Sequence, residues 1–97
     1  MGIAWCNEWR EILGERHRLY IERELAWELD QIREHALRGR VFHVVGARNL
    51  YNDFILFLDD EQTYAYVHLV WKPAPPPFRR IGDENALHHF VRNWKAD

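Results

Sequence analysis

The segment DFILFLD at residues 53–59 constrains the fold of this chain more than any other. In a β-strand, Ile55 and Phe57 would lie on one face and Leu56 on the other, because successive side chains alternate. All three are apolar, and such a strand is typical of a central position or of a sheet that is covered on both sides. The segment therefore predicts a strand that is central or covered on both faces.

Two further strands are expected beside it. Residues 40–48, RVFHVVGAR, are rich in β-branched side chains, and residues 63–72 alternate in polarity. The turn signals NLYN (49–52) and DDEQ (59–62) connect the three strands, so the pattern predicts an antiparallel meander. The prolines of 73–77 cannot donate to a ladder and are expected to form an extended loop after the third strand.

Helices are expected at both ends of the chain. Apolar residues recur at helical spacing over residues 3–37 and again over 83–95. Gly39 suits a helix stop, and Asp83 suits an N-cap. The order α-β-β-β-α predicts a single α+β domain over 1–97, with two layers in which both helices pack on a three-stranded antiparallel meander.

Composition limits the setting and the partners. The 97-residue chain is 47% hydrophobic and 14% aromatic, which indicates a folded core. Its formal net charge is −2, so bulk electrostatics do not recruit nucleic acid or an anionic membrane. Cys6 is the single cysteine, and no apolar run approaches the ~18 residues of a membrane span. These features predict a cytoplasmic protein without membrane or nucleic-acid partners.

Several chemistries are excluded. The chain has no serine, so a serine nucleophile is impossible. Its five glycines are scattered and form no phosphate-cradling loop. The chain has neither paired cysteines nor the H-E-x-x-H spacing, so no such pattern indicates a metal site. The sequence therefore favours a non-enzymatic protein over an enzyme, and we expect no cofactor.

The third predicted strand carries a histidine among aromatic side chains. Ala65 and Val67 point to the face expected under the long helix, whereas Tyr64, Tyr66 and His68 share the opposite face. That face suits a groove, an oligomer interface or a half-exposed surface. His68 is therefore either a hydrogen-bonded residue with no chemical role, or a residue that takes part in binding or catalysis.

Four segments resemble a group of small bacterial proteins of about this length: ELAWEL (24–29), HALRGR (35–40), DFILFLD (53–59) and AYVHLVW (65–71). The resemblance implies a bacterial cytosolic protein with a V-H-L-x-W strand, and it carries over no activity. The group is expected to have Thr where this chain has Val70. The resemblance also relates five residues to one another: Glu24, Glu28, His35, His68 and Trp71.

Glu24, Glu28 and His35 fall within a narrow stripe of the predicted long helix. One interpretation is a metal- or pH-responsive binding site. The other is a charged helix face with arginine partners, which is the usual structure of such a stripe. No tight ligand spacing supports the first, so we predict no metal and keep the three residues as weak candidates.

His68, with Tyr66 and His43, is the candidate set for an alternative function, a small hydrolase or ribonuclease-like enzyme. If the middle strand separates the two histidines, their backbones lie ~9–10 Å apart, which excludes a shared metal. A substrate that bridges both imidazoles remains open.

A second stripe of the long helix carries Trp9, Leu13, Tyr20 and Trp27. Either the first helical segment folds back at Gly14 and covers Trp27, or the stripe is an association surface. A chain of this length has little interior in which to bury five tryptophans, so we expect a homodimer through the long helix.

The leading prediction is a small non-enzymatic protein-binding protein, of immunity or regulatory type, that self-associates. Tyr, Trp and Arg are the side chains that association surfaces favour. The predicted binding residues are Tyr64, Tyr66, His68, Trp27, Arg79 and Arg80.

Overall fold

The computed structural model describes residues 3–30, 35, 37–48, 52–71 and 75–94. Its elements follow in the order β1 (Trp9–Glu11), α1 (Glu15–Asp30), β2 (Phe42–Arg48), β3 (Asp53–Leu58), β4 (Thr63–His68), β5 (Phe78–Gly82) and α2 (Glu84–Arg92). They form an α+β fold around a five-stranded antiparallel sheet with the strand order β1-β2-β3-β4-β5. No described helix is long and apolar enough to cross a membrane.

The predicted three-stranded meander is wrong, because the sheet has two further strands. β2, β3 and β4 are the three expected strands and form its centre. β5 was missed because it follows the prolines: they end β4, but the chain then returns and pairs Phe78 with Val67. β1 was missed because it lies within the segment 3–37 that was predicted to be helical.

The long predicted helix is also wrong at its N-terminal end. Asn7 and Glu8 have φ angles of 52° and 74°, in the left-handed region that a right-handed helix excludes. The next residues pair with β2, with Trp9 opposite Arg48, and α1 begins only at Glu15. α1 ends at Asp30; residues 31–34 and 36 lie outside the described residues, and residues 35 and 37, which the prediction made helical, are not helical.

The sheet is covered on both faces, which corrects the predicted two-layer arrangement. On one face, α1 packs its buried Leu25 against side chains such as Leu56 of β3. On the other, Leu87 of α2 packs against Ile55 of β3 and against Trp9. β3 is the middle strand and is covered on both sides, as the DFILFLD segment predicted.

α2 begins and ends close to the predicted bounds. The side chain of Asp83 accepts the backbone N–H of Ala86 at 2.9 Å and caps the helix, as expected. The helix ends at Arg92, and residue 95 of the predicted range lies outside the described chain. Of the predicted proline loop, residues 75–77 are described and form no helix or strand.

Gly46 marks an irregularity in β2, where the pairing register with β3 shifts between Val44 and Gly46. The ring of Trp5 packs directly on this glycine, and a Cβ atom there would overlap the ring. The N-terminal segment is therefore fixed over the same face of the sheet as α2.

Candidate functional site

Glu28 of α1 is fully buried, and its two carboxylate oxygens bind the chain that follows β4. Oε1 accepts the backbone N–H of Val70 at 3.1 Å, and Oε2 accepts the backbone N–H of Trp71 at 2.7 Å. Hydrogen bonds to an ionised acceptor are stronger than neutral ones. Glu28 therefore anchors the segment after β4 to α1.

Trp71 has a φ of 56°, in the left-handed region that bulky residues avoid. The anchor at Glu28 holds it there, and its indole extends along α1 to Tyr20, with ring centroids 5.9 Å apart. Both rings reach solvent: Trp71 is 41% exposed and Tyr20 is 60% exposed. The fold thus holds Trp71 in an unfavourable backbone conformation that leaves its ring accessible.

A cleft of about 450 Å³ opens between the N-terminal half of α1 and the β1–β2 side of the sheet. Ile21 and Phe54 contribute apolar side chains to it, and Tyr20 and Trp71 form an aromatic wall. Pockets that bind small groups are typically 300–1,000 Å³ and mostly apolar with a few polar groups. Arg10, His17 and Asn52 supply such groups here.

The exposed apolar side chains near this cleft form what we call the aromatic surface, which consists of Leu13, Tyr20, Trp27 and Trp71. Leu13 is 86% exposed and lines the cleft, and Trp27 is 46% exposed. Trp27 lies seven residues after Tyr20, on the same side of α1. Trp9, which was predicted to share this stripe, is instead buried on the opposite face of the sheet beside Trp94.

The metal candidates do not meet as a cation site. Both oxygens of Glu28 accept backbone N–H groups. His35 accepts the N–H of Leu37 at Nδ1 (3.1 Å), so Nε2 carries the proton that it donates to the carbonyl of Pro76 (2.9 Å). Within the described parts of the chain, no three His, Cys, Asp or Glu side chains are grouped to hold a metal. Glu28 links α1 to the segment after β4, and His35, which lies beyond the end of α1, links the chain before β2 to Pro76.

Glu24 lies one turn before Glu28 on α1, and the two carboxyl groups interact. Desolvation raises the pKa of Glu24 to about 7, with further contributions from its hydrogen bond to Glu28 and from the charge of Glu28. Glu24 is therefore partly protonated near neutral pH, where it is hydrogen-bonded to the buried Glu28.

His68 belongs to a second cluster, centred on the buried Asp53. Asp53 Oδ1 accepts hydrogen bonds from Tyr66 Oη at 2.6 Å and from His68 Nδ1 at 2.8 Å. Its Oδ2 accepts from Arg48 Nη1 at 2.9 Å. Burial alone would raise the pKa of Asp53, but these three hydrogen bonds outweigh it and lower the pKa below the ordinary value.

The face that carries Tyr64, Tyr66 and His68 is mostly covered by other parts of the fold, so little of it is free surface. Tyr66 packs between Phe90 and Trp94 at the C-terminal end of the chain, and burial raises its pKa, as does its bond to Asp53. Tyr64 is half-buried under the same layer. The side chain of His68 is 40% exposed.

His43 and His68 lie at opposite ends of the sheet. His43 pairs with Phe57, whereas His68 pairs with Asp53, four residues earlier on the same strand. That offset separates the two histidines by roughly 13 Å along the strands. They cannot act together on one small group, so the acid–base pair of His43 and His68 is excluded.

The two arginines after the prolines have partners within the fold. Arg79 lies over the ring of Phe90 at 5.9 Å. Arg80 forms an ion pair with Glu61 at 2.9 Å and lies over the ring of Phe78. These contacts link β5 to α2 and to the β3–β4 turn, and the binding role of the two arginines stays a prediction.

Two features of the site were missed from the sequence. Asp53 received no role, because its contact with His68 depends on the register between β3 and β4. The exposure of Trp71 depends on a left-handed backbone, which no residue type at that position indicates. Comparison with known proteins adds no further guide: no family model, curated protein or solved structure matches this chain.

Proposed function

We propose that this chain is a binding protein that self-associates through the aromatic surface. The observation that carries the proposal is the conformation of Trp71. A non-glycine residue in a sparsely populated backbone region costs ~1–3 kcal/mol, and such strain concentrates at functional sites. Here the strained backbone leaves the indole of Trp71 41% exposed, and the packing of the core does not require that exposure.

The rest of the surface supports the same function. Tyr20, Trp27 and Leu13 add three large apolar side chains that are 60%, 46% and 86% exposed. Contiguous apolar patches on small proteins mark association sites, and Trp and Tyr dominate the binding energy of such sites. An immunity-type or regulatory role belongs to this proposal because Trp, Tyr and Arg are abundant and a serine nucleophile and a phosphate-binding loop are missing. The bacterial cytosolic setting rests on the sequence resemblance, which carries over no activity.

Sedimentation equilibrium of the wild type beside Trp27→Glu tests the proposal. We expect a dimer for the wild type and a folded monomer for the variant. Val41→Glu is the matched control, because Val41 is 59% exposed and adjoins the end of the sheet away from Trp71. A wild type that is monomeric, or a Val41→Glu variant that dissociates equally, would contradict the proposal.

A second candidate function, a small hydrolase or ribonuclease, has one observation in its favour. Asp53 fixes the Nδ1 side of His68, which directs Nε2 away from the carboxylate, as in a general base held by a buried acid. A screen of ester and RNA hydrolysis tests it with His68→Ala. His43→Ala is the control, since His43 is an exposed histidine remote from Asp53. Activity that survives His68→Ala would remove this candidate.

A further inference from the structure

The outer edge of the sheet at β5 is open. β5 is the last strand in the order β1-β2-β3-β4-β5, so only its β4 side is paired. Within the described ranges, no backbone group of residues 78–82 forms a hydrogen bond outside that ladder. We propose that this edge binds an extended acidic peptide of a partner protein, which adds to the sheet as a further strand and places a side-chain carboxylate beside Arg79 and His89.

The length and geometry of β5 suit the addition of a strand. An edge strand has unpaired N–H and C=O groups along its outer side, and an added strand pairs with them over its whole length. β5 has five residues, so its edge is roughly 17 Å long and matches about five residues of an extended peptide. Successive side chains of such a peptide alternate between the two faces of the sheet. Every second side chain therefore projects toward the face that α2 covers.

A cavity of about 270 Å³ adjoins the edge on that face. Ile81 of β5 gives it an apolar wall, together with Ala86 and Phe90 of α2. Arg79 and His89 give it hydrogen-bond donors. The guanidinium of Arg79 lies over the ring of Phe90, which places it on the same face as α2. A side chain of the added strand therefore meets these donors when it projects toward α2.

The donors of this cavity lack a carboxylate within the fold. Among the residues that the structure describes, neither Arg79 nor His89 forms an ion pair with an acidic side chain. Arg80 differs, because both carboxylate oxygens of Glu61 already accept its hydrogen bonds. A glutamate or aspartate of the peptide supplies the missing acceptor, and its hydrogen bond to Arg79 is charge-assisted. The cavity therefore selects an acidic side chain at one position of the added strand.

The same charges disfavour a second copy of the chain as the occupant. Two β5 strands paired antiparallel would bring Arg79 and Arg80 of one copy next to those of the other, and like charges on neighbouring strands are destabilising. Charged side chains on edge strands commonly prevent such pairing. The site lies at the far edge of the sheet from β1, so it is separate from the aromatic surface and does not depend on self-association.

Titration of the protein with a synthetic peptide, followed by amide NMR spectra, tests the inference. The peptide is about seven residues long, alternates glutamate with the strand-forming valine, and has both termini blocked, so its only carboxylates are those of side chains. We expect saturable binding, with the largest shifts and slowed hydrogen exchange at the amides of β5. The same peptide with glutamine in place of glutamate is expected to bind about tenfold more weakly or worse, the contribution of one hydrogen bond to a charged group.

Variants of the protein locate the peptide. Arg79→Gln is expected to weaken binding of the glutamate peptide by about tenfold or more. Arg23→Gln is the matched control, because it removes the same charge from an exposed position on α1, which covers the opposite face of the sheet. Trp27→Glu alters the aromatic surface alone and is expected to bind the peptide as the wild type does. An equal loss of binding in either of these two variants would place the peptide elsewhere and overturn its assignment to β5.

The backbone pairing has its own test. The glutamate peptide with every backbone nitrogen methylated keeps its charges but cannot donate to a ladder, and we expect it not to bind. Equal binding of this peptide or of the glutamine peptide would overturn the inference, as would the absence of binding by the parent peptide. Displacement of the parent peptide by a lower concentration of single-stranded RNA would assign the arginines to nucleic acid and would also overturn it.

Discussion

The carboxylate of Glu28 accepts the backbone N–H of Trp71 at 2.7 Å and fixes the indole of that residue beside Tyr20. A fully buried acid on one face of the sheet thus determines the position of an exposed ring. The same acid interacts with Glu24, so the position of the ring is linked to a group that titrates near neutral pH.

Replacing Trp71 separates backbone strain from ring contacts. Trp71→Gly and Trp71→Ala both lose the indole, but only glycine adopts a φ of 56° without steric cost. We expect the glycine variant to be more stable than the alanine variant by ~1–2 kcal/mol, the cost of a left-handed L-residue. Urea denaturation of both variants measures the difference. Equal free energies of unfolding would show that residue 71 is not held in the left-handed region.

The raised pKa of Glu24 predicts that the protein loses stability as the pH rises. Its pKa in the folded protein, about 7, lies above the ordinary value of 4.5. Its contribution to stability is therefore fully present below pH 4.5 and is lost as the pH rises through about 7.

We expect Glu24→Gln to remove this slope, because the amide does not ionise beside Glu28. The free energy of unfolding, measured by urea denaturation from pH 4.5 to 8, checks the effect. Glu15→Gln, which changes an exposed acid in the first turn of the same helix, is the control. A wild type whose stability rises steadily over this range would contradict the raised pKa of Glu24.

The Asp53 cluster predicts the opposite dependence at low pH. The pKa of Asp53 is lowered in the folded protein, so its contribution to stability is present above the ordinary value of 3.8 and is lost as the pH falls through the folded pKa. Asp53→Asn removes the buried ion pair with Arg48, whose other carboxylate, Glu8, lies farther away at 3.7 Å, and breaking such a buried pair costs about 3–5 kcal/mol.

Thermal unfolding of Asp53→Asn beside Tyr66→Phe measures this cost. The second variant deletes one hydrogen bond to the same carboxylate and is expected to lose only ~1–3 kcal/mol. If the two variants lost equal stability, the ion pair with Arg48 would not be the main interaction of the cluster.

The contact between Gly46 and the ring of Trp5 predicts that a side chain at position 46 displaces the N-terminal segment. A Cβ atom at this position overlaps the ring of Trp5, so Gly46→Ala must displace the ring and is expected to cost ~1–3 kcal/mol. Gly14→Ala is the control, because its Cβ meets only His17 at an ordinary 3.7 Å. Tryptophan fluorescence during urea denaturation reports both. An equally small effect at the two positions would show that Trp5 does not pack on Gly46.

The centre of the sheet could be predicted from the sequence, because β3 has apolar side chains on both faces and both faces must therefore be covered. The two edge strands could not. The helical spacing around Trp9 is real, but left-handed residues at Asn7 and Glu8 and pairing with β2 override it. The prolines end β4 correctly, yet they do not prevent the chain from pairing again at Phe78.

The candidate site was predictable only in part. The spacing of Tyr20 and Trp27 placed both on one side of α1, and both are exposed. The exposure of their neighbour Trp71 could not be predicted, because it depends on a hydrogen bond that its backbone N–H donates to Glu28, 43 positions away in the chain. The role of His68 likewise depends on Asp53, which the strand register brings opposite it.

Sedimentation equilibrium of the wild type, Trp27→Glu and Val41→Glu shows whether the chain self-associates through the aromatic surface. We expect a dimer for the wild type and for Val41→Glu, and a folded monomer for Trp27→Glu. A wild type that stays monomeric would contradict this expectation, and the aromatic surface would then have no partner in a second copy of the chain.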